Sequence, residues 1–298
     1  MTKEDADIIP RNLDKLEARR WFAEDIREVA PVVKNARIVD AFARVPREHY
    51  LGQGPWNIHS RLSVGSTHKS ASADPIHLYH DVLVSIDDAS GINNGLPSLW
   101  ALVFDNLDIK PGDTVLQVGA GVGYYTAILA ELVTDQGHVI AYEIEDGLAA
   151  RAQENLRHYQ QVEIVAGNAT EVDIFPELDV VVACAGVTHV PEEWLKYLSE
   201  KGQMVLPFTG ENQWGFLLHL HKNGDDLPIK SLGPCGFYHC FGARISEEER
   251  ALTLALNLTE GAAPNIGRYH LGLPENDQFD AWVIGNSYWI SRSAPNKV

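Results

Sequence analysis

Three glycines at alternate positions, Gly119, Gly121 and Gly123, interrupt the stretch "DTVLQVGAGVGYYTAILAELV", residues 113–133, where an apolar run gives way to a helix-like pattern. Glycine at such a turn meets two needs, backbone at positive φ and close approach of the main chain to a ligand. The dinucleotide fingerprint Gly-x-Gly-x-x-Gly would require a third spaced glycine at position 124, which is Tyr124 instead. At the end of the next apolar run stands Glu143. A carboxylate there can accept hydrogen bonds from both hydroxyls of a ribose. The combination suits an adenosine ligand that has a ribose and no pyrophosphate, with any small carboxylate held at the turn and the start of the following helix.

The elements around that turn must place it. Residues 12–49 carry apolar residues at helical spacing, interrupted at Pro46, and residues 51–96 are rich in Gly, Ser, Asn, His and Asp with little periodicity. A long irregular stretch of that kind points to a lid or binding loop. From Pro97 the pattern is regular: a helix to about 107, then "TVLQV", "YYTAILAELV", "HVIAYE", "GLAARAQENLRHY", "VEIVAG", "LDVVVACA", "PEEWLKYLSE", "GQMVLPF" and "WGFLLHLHK". Strands that alternate with helices predict a doubly wound α/β sheet of parallel strands, and the last two strands predict an antiparallel edge. Beyond about 245, "SEEERALTLALNL" reads as a helix and "FDAWVIGNSYWISR" as one strand. The expected division is a helical segment and loop over 1–96, a ligand-binding core over 97–245, and an extension over 246–298 packed on that core.

The formal net charge of -17 over 298 residues argues against nucleic acid, whose phosphates are met by clustered Lys and Arg. No apolar run approaches the roughly 20 residues of a membrane span, and the charged first residues do not read as a signal, so a cytoplasmic protein is expected. Three cysteines, Cys184, Cys235 and Cys240, are too few for a disulfide framework. Cys235, His239 and Cys240 lie close together in sequence, yet no second cluster completes a tetrahedral site, and no metal is expected.

The glycine turn resembles motif I of the Rossmann-like methyltransferases, which implies S-adenosylmethionine as cofactor. On that resemblance Gln117, Gly119, Gly121, Gly123 and Tyr124 form the turn, with Gln117 where the usual motif begins with Asp or Glu. Glu143 then takes the ribose, and Asn168 of "VAGNAT" stands where an acidic residue meets the adenine amino group. "ARVPREHYL", "YHDVLVSID" and "LDVVVACAGVTHVPEEWLKYLSEKGQMVLPF" are similar in order and spacing to the protein-L-isoaspartate O-methyltransferase family, over about residues 36–222. That family carries roughly Gly-Gln-Thr-Ile-Ser-x-Pro before the pre-motif helix, its Ser hydroxyl lying at the substrate carboxylate. This chain reads "GINNGLP", with Asn93 for Thr and Gly95 for Ser. The resemblance therefore implies methylation of a carboxylate on a protein, peptide or natural product, distinct from standard isoaspartyl repair, with amides of Asn93 and Asn94 in place of the hydroxyl. A carboxylate is already ionised at neutral pH and needs no base. An amine or phenol acceptor would need one, for which His77, His80 and Asp81, beside Tyr79, are candidates. The alternatives are thus a small-molecule N- or O-methyltransferase with a histidine base, and a binding module that keeps the cofactor fold without catalysis.

Overall fold

The computed structural model describes residues 14–29, 33–59, 66–259, 264–274 and 280–293. The two ends of the first expected helix and residues 60–65 of the irregular stretch lie outside them. The chain divides into two compact units, Met1–Asp108 with Val122–Leu132, and Ile109–Gly121 with Val133–Val298.

The first unit contains α1 (Lys15–Val29), α2 (Ala36–Arg44), α3 (Pro97–Leu107) and α4 (Tyr124–Val133) as far as Leu132. The Asn35 side chain caps α2 by accepting from Arg37 N–H at 3.0 Å. Asp105 accepts the amides of Lys34 and Asn35, each at 2.8 Å, so backbone donors at the helix entry are satisfied. Spacing of three and four along α2 buries Ile38, Val39, Ala41 and Phe42, and Val45 and Pro46 end the helix in extended backbone. Phe22, Phe42, Tyr79 and Tyr124 meet at ring separations of 5.8 to 6.3 Å. The irregular stretch resolves into β1 (Asn57–His59), β2 (Thr67–Lys69), β3 (Ser85–Asp87) and β4 (Ile92–Asn93). They form two antiparallel pairs, β1 with β2 and β3 with β4. Strands of two or three residues leave no alternation for a sequence reading to find.

The second unit is built on a sheet of seven strands: β5 (Thr114–Val118), β6 (His138–Glu143), β7 (Val162–Ala166), β8 (Leu178–Ala183), β9 (Leu198–Thr209), β10 (Trp214–His221) and β11 (Ile229–Gly236). Their order is β11-β10-β9-β8-β5-β6-β7, with β5 to β9 parallel and β10 and β11 antiparallel. This is the expected doubly wound sheet with an antiparallel edge. The order reverses between β5 and β8, which places the ligand crevice of such a sheet at the carboxyl end of β5. α5 (Asp146–Leu156) links β6 to β7, and α6 (Glu192–Tyr197) links β8 to β9, ending earlier than its sequence pattern suggests. β11 escapes the sequence reading because Pro234 and two glycines mask it; as the last strand of the sheet it tolerates them.

Alternate residues of the sheet, among them Leu116, Val118, Val181, Met204 and Leu206, share one core with Trp194 of α6 and with the C-terminal extension. That extension contributes Leu252 and Ala255 of α7 (Ser246–Asn257) and Tyr288 and Ile290 of a three-stranded sheet. The strands are β12 (Ile266–Leu271), β13 (Ala281–Ile284) and β14 (Tyr288–Arg292), in the order β12-β14-β13. The single strand expected over 279–292 is therefore a hairpin that turns at Gly285–Ser287. A buried polar group fastens the extension: Glu248 accepts from Thr188 Oγ1 at 2.7 Å and Asn286 N–H at 3.0 Å, and its Oε2 lies 2.9 Å from His189 Nδ1. Burial alone would lift the Glu248 carboxyl, but the bonds from His189, Thr188 and Asn286 outweigh it and hold the group below its ordinary value of 4.5.

A carboxyl depressed by folding gives stability that is present above the ordinary value and lost as pH falls through the depressed one. Denaturant unfolding of Glu248→Gln should therefore show a smaller loss of stability below about pH 4.5 than the unaltered chain. Glu248→Ala, which leaves the buried Thr188 hydroxyl, His189 and the Asn286 amide without their acceptor, should cost about 1–3 kcal/mol at neutral pH. Identical acid limbs for the unaltered chain and the Gln variant would refute this assignment.

Candidate functional site

The carboxyl ends of β5, β6 and β7 carry the expected cofactor residues of the second unit. Gly119 and Gly121 adopt φ of 88° and 57°, and in the first unit Gly123 adopts 89°, all in the region that favours glycine. Gly119 N–H and Ala120 N–H donate to Tyr142 O at 2.8 and 3.0 Å. Gly121 N–H donates to Glu143 Oε2 at 2.7 Å, and Glu145 N–H to Glu143 Oε1 at 3.0 Å. The Glu143 carboxylate thus fixes the glycine turn as well as standing where a ribose is expected. Burial lifts its pKa above the ordinary value, while the amides of Glu145 and Gly121 pull it back. Hydroxyl donors from a ribose would stabilise the ionised form in the same way.

Gln117 is buried in β5, its Nε2 3.4 Å from Gly119 O and 3.7 Å from Cys184 Sγ. Its Oε1 is buried without a partner among the described residues. An acceptor left so at the crevice fits a ligand that brings a donor such as an ammonium group. Asn168, by contrast, spends its side chain on its own turn: Oδ1 accepts from Thr170 N–H and Oγ1 at 3.1 and 2.9 Å, and Nδ2 donates to Glu171 at 3.1 Å. Ile144, directly after Glu143, remains 43% exposed. An apolar surface beside a ribose acceptor is what an adenine ring would cover.

In the first unit, the loop before α3 turns on Asn93, whose Oδ1 accepts Gly95 N–H at 2.9 Å. Asn94 donates its backbone N–H to Val84 O at 2.8 Å and is 8% exposed; its Nδ2 is enclosed without a partner among the described residues. Gly95 has φ of 73°, and a Cβ there would stand 2.6 Å from the indole Nε1 of Trp100. Tyr125 closes the other side, its hydroxyl donating to Gly95 O at 3.0 Å. The missing hydroxyl thus has a structural cause: the buried Trp100 ring occupies the space its side chain would need. Nothing in the local string "GINNGLP" signals this, because the obstruction comes from the next helix.

The remaining candidates have different surroundings. His80 is exposed. Asp81 is buried and accepts from Ser98 N–H and Oγ at 2.9 and 2.8 Å, so its carboxylate caps α3. His77 lies 3.2 Å from Ser72 Oγ, and Tyr79 donates to Glu48. The Tyr124 side chain is wholly buried against Phe42, Tyr50 and Tyr125, which leaves only its backbone for a ligand. Among the described residues no group of three or more His, Cys, Asp or Glu could hold a metal ion. Burial pushes the Cys184 thiol up to about 12 and Cys240 up to about 11. Gly95→Ser should destabilise the chain by about 1–3 kcal/mol through strain at positive φ and overlap with Trp100. Thermal unfolding measures it, and an unchanged midpoint would show that the loop relaxes freely.

The sequence model of the protein-L-isoaspartate(D-aspartate) O-methyltransferase family matches residues 24–240. A protein-L-isoaspartate O-methyltransferase of Ignicoccus hospitalis is 29% identical over 211 residues, 69% of this chain and 89% of that protein. One of Syntrophus aciditrophicus is 30% identical over 238 residues, 77% of this chain and 97% of that protein. Among solved structures, a protein-L-isoaspartate O-methyltransferase superposes with a TM-score of 0.63 at 21% identity, covering 93% of this chain and 88% of its own. A Plasmodium falciparum structure described as a protein-L-isoaspartate O-methyltransferase in complex with S-adenosyl-L-homocysteine gives 0.60 at 19% identity, covering 75% of this chain and 98% of its own. The glycine turn, Glu143 and the sheet order agree with the match over 24–240: this chain belongs to the protein-L-isoaspartate O-methyltransferase family of S-adenosylmethionine-dependent methyltransferases.

Proposed function

We propose that the protein transfers the methyl group of S-adenosylmethionine to a carboxylate of a protein, peptide or natural product, and that the standard isoaspartyl site is not its principal acceptor. The observation that carries the cofactor half is the Glu143 carboxylate bonded to Gly121 N–H at 2.7 Å, at the point where strand order reverses. The unpartnered Gln117 Oε1 supports the same reading, as an acceptor for the cofactor's amino group. The acceptor half rests on the loop of residues 92–97. Asn94 Nδ2 is a buried donor without a partner among the described residues, which suits an anionic oxygen, and Gly95 leaves no hydroxyl for the contact its relatives make.

The cofactor supplies a sulfonium methyl. The chain would have to hold the carboxylate oxygen in line with that methyl, and an ionised acceptor would give up no proton. This is why the capped Asp81 is no obstacle: a carboxylate acceptor needs no general base.

Incubation with methyl-labelled cofactor and a panel of isoaspartyl peptides, aspartyl peptides and aged protein, followed by mild base, tests the reading, because methyl esters release their label. Base-labile product with isoaspartyl turnover well below about 1 per second is expected. Base-stable methylation, or isoaspartyl turnover at that rate or above, would overturn the corresponding part. In calorimetry, Glu143→Ala should weaken S-adenosylhomocysteine binding about tenfold or more, since a hydrogen bond to a charged group contributes about 1.5–3 kcal/mol. Asn94→Leu should raise KM for the acceptor about tenfold with cofactor affinity unchanged. An unaltered KM would remove Asn94 from the acceptor site.

A further inference from the structure

Arg47 of "VPREHY" is wholly buried and forms no ion pair among the described residues. Its guanidinium donates instead to three main-chain carbonyls: Nη1 to Leu78 O at 2.8 Å and His80 O at 3.1 Å, Nη2 to Val82 O at 2.7 Å. It lies between aromatic faces, with Cζ 5.9 Å from the Phe22 centroid and 5.8 Å from that of Tyr124. Its Nε has no partner among the described residues. A buried charge without a counter-ion is unfavourable, and an apolar side chain of like volume would fill the space with less loss. What an apolar side chain could not do is aim three carbonyls. The planar fork fixes the directions of its donors, and so the directions of the groups that meet them.

Those carbonyls belong to alternate residues of a segment in which 79–83 has no helix or strand of its own; Val82 N–H turns back to His80 O at 2.9 Å. Asp81 sits between two of the anchored carbonyls. Its carboxylate takes both donors of Ser98, the second residue of α3, which follows the turn of Asn93 to Gly95. Asn94 N–H is tied in turn to Val84 O at 2.8 Å, two residues beyond the last carbonyl that Arg47 holds. Both ends of the loop are therefore referred to the guanidinium, one through Asp81 and Ser98, the other along the chain to Val84.

We propose that Arg47 is a positioning residue for the acceptor loop: by orienting residues 78–82 it sets, through Asp81 and Ser98, where Asn94 presents its amide. The loop's role rests on the reading given above; the mechanical link does not. Arg47 touches neither acceptor nor cofactor. It governs how tightly the acceptor is held and leaves the affinity for cofactor alone.

Hydrogen exchange and kinetics on the full chain test this with Arg47→Met, Arg47→Lys and Asp81→Asn. Met keeps the apolar contacts with Phe22 and Tyr124 and removes the fork. Exchange over 78–98 should rise about tenfold or more, with residues 113–184 unchanged and S-adenosylhomocysteine affinity by calorimetry within about twofold. With an aged protein substrate as probe, KM should rise about tenfold while kcat stays within about threefold. Arg47→Lys, a point charge that cannot serve three carbonyls in one plane, should behave like Met. Asp81→Asn should raise KM in the same direction, and its combination with Arg47→Met should be clearly less than additive, because both cut one chain of contacts. Exchange that rises evenly over the whole molecule, unchanged exchange over 78–98, or full function in Arg47→Lys would each overturn the proposal. If the unaltered chain esterifies no acceptor, the carboxylate reading fails, while the exchange pattern and the cofactor affinity still decide the role of Arg47.

Discussion

The bond from Gly121 N–H to the Glu143 carboxylate joins the end of β5 to the end of β6, and the cofactor half of the site depends on it. A turn of three positive-φ glycines has little conformational preference of its own, because glycine visits many backbone states. Tyr142 O takes two of the turn's amides and Glu143 takes the next, so the adjoining strand selects one of those states. A carboxylate buried at this place is raised in pKa, which makes it receptive to further donors. The group that shapes the turn is thus also the one best placed to recognise ribose hydroxyls.

A different solution serves the first unit. Among the described residues of 51–96 few hydrogen bonds belong to regular structure, since the strands there are two or three residues long. Two buried charged side chains supply the missing order: Arg47 satisfies carbonyls, and Asp81 satisfies the hydroxyl and amide of Ser98. Charge-assisted bonds are strong and directional enough to hold irregular backbone that no ladder supports. The Phe22 and Tyr124 rings flank the wholly buried Arg47 guanidinium, where its bonds meet no competition from water.

In the second unit the residues from α7 onward, which the family match does not include, add a helix and a separate three-stranded sheet. Their apolar residues enter the same core as Leu116 and Val118. Glu248 adds polar specificity to that packing, for it bonds at once to the loop after β8 and to the hairpin turn at Asn286. Arg244 acts alongside, donating to Gly186 O at 2.8 Å and Gly210 O at 3.0 Å and pairing with Glu249 at 2.6 Å. The extension is therefore joined to the carboxyl side of the sheet by directional bonds as well as by hydrophobic burial.

The sequence by itself determined the features that arise from local periodicity and local backbone demand. Alternation of apolar strands with helices specified the doubly wound sheet, and glycines at 119, 121 and 123 marked the turn, with Glu143 at a strand end as a candidate ribose acceptor; that Glu143 also bonds Gly121 N–H came only with the fold. Tertiary structure alone decided which polar groups were committed and which remained open. The Asp81 carboxylate meets Ser98, seventeen positions on, and Asn168 bonds within its own capping turn. Gln117 Oε1 and Asn94 Nδ2 stayed without partners among the described residues, which no string of residues reveals. The absence of a hydroxyl at Gly95 was legible; its cause, the Trp100 ring, was not. Nor was Arg47's hold on carbonyls thirty-one to thirty-five residues away. The difference is physical: propensity and amphipathic pattern act over a few neighbouring residues, whereas the state of a buried polar group depends on atoms that folding brings to it from elsewhere in the chain.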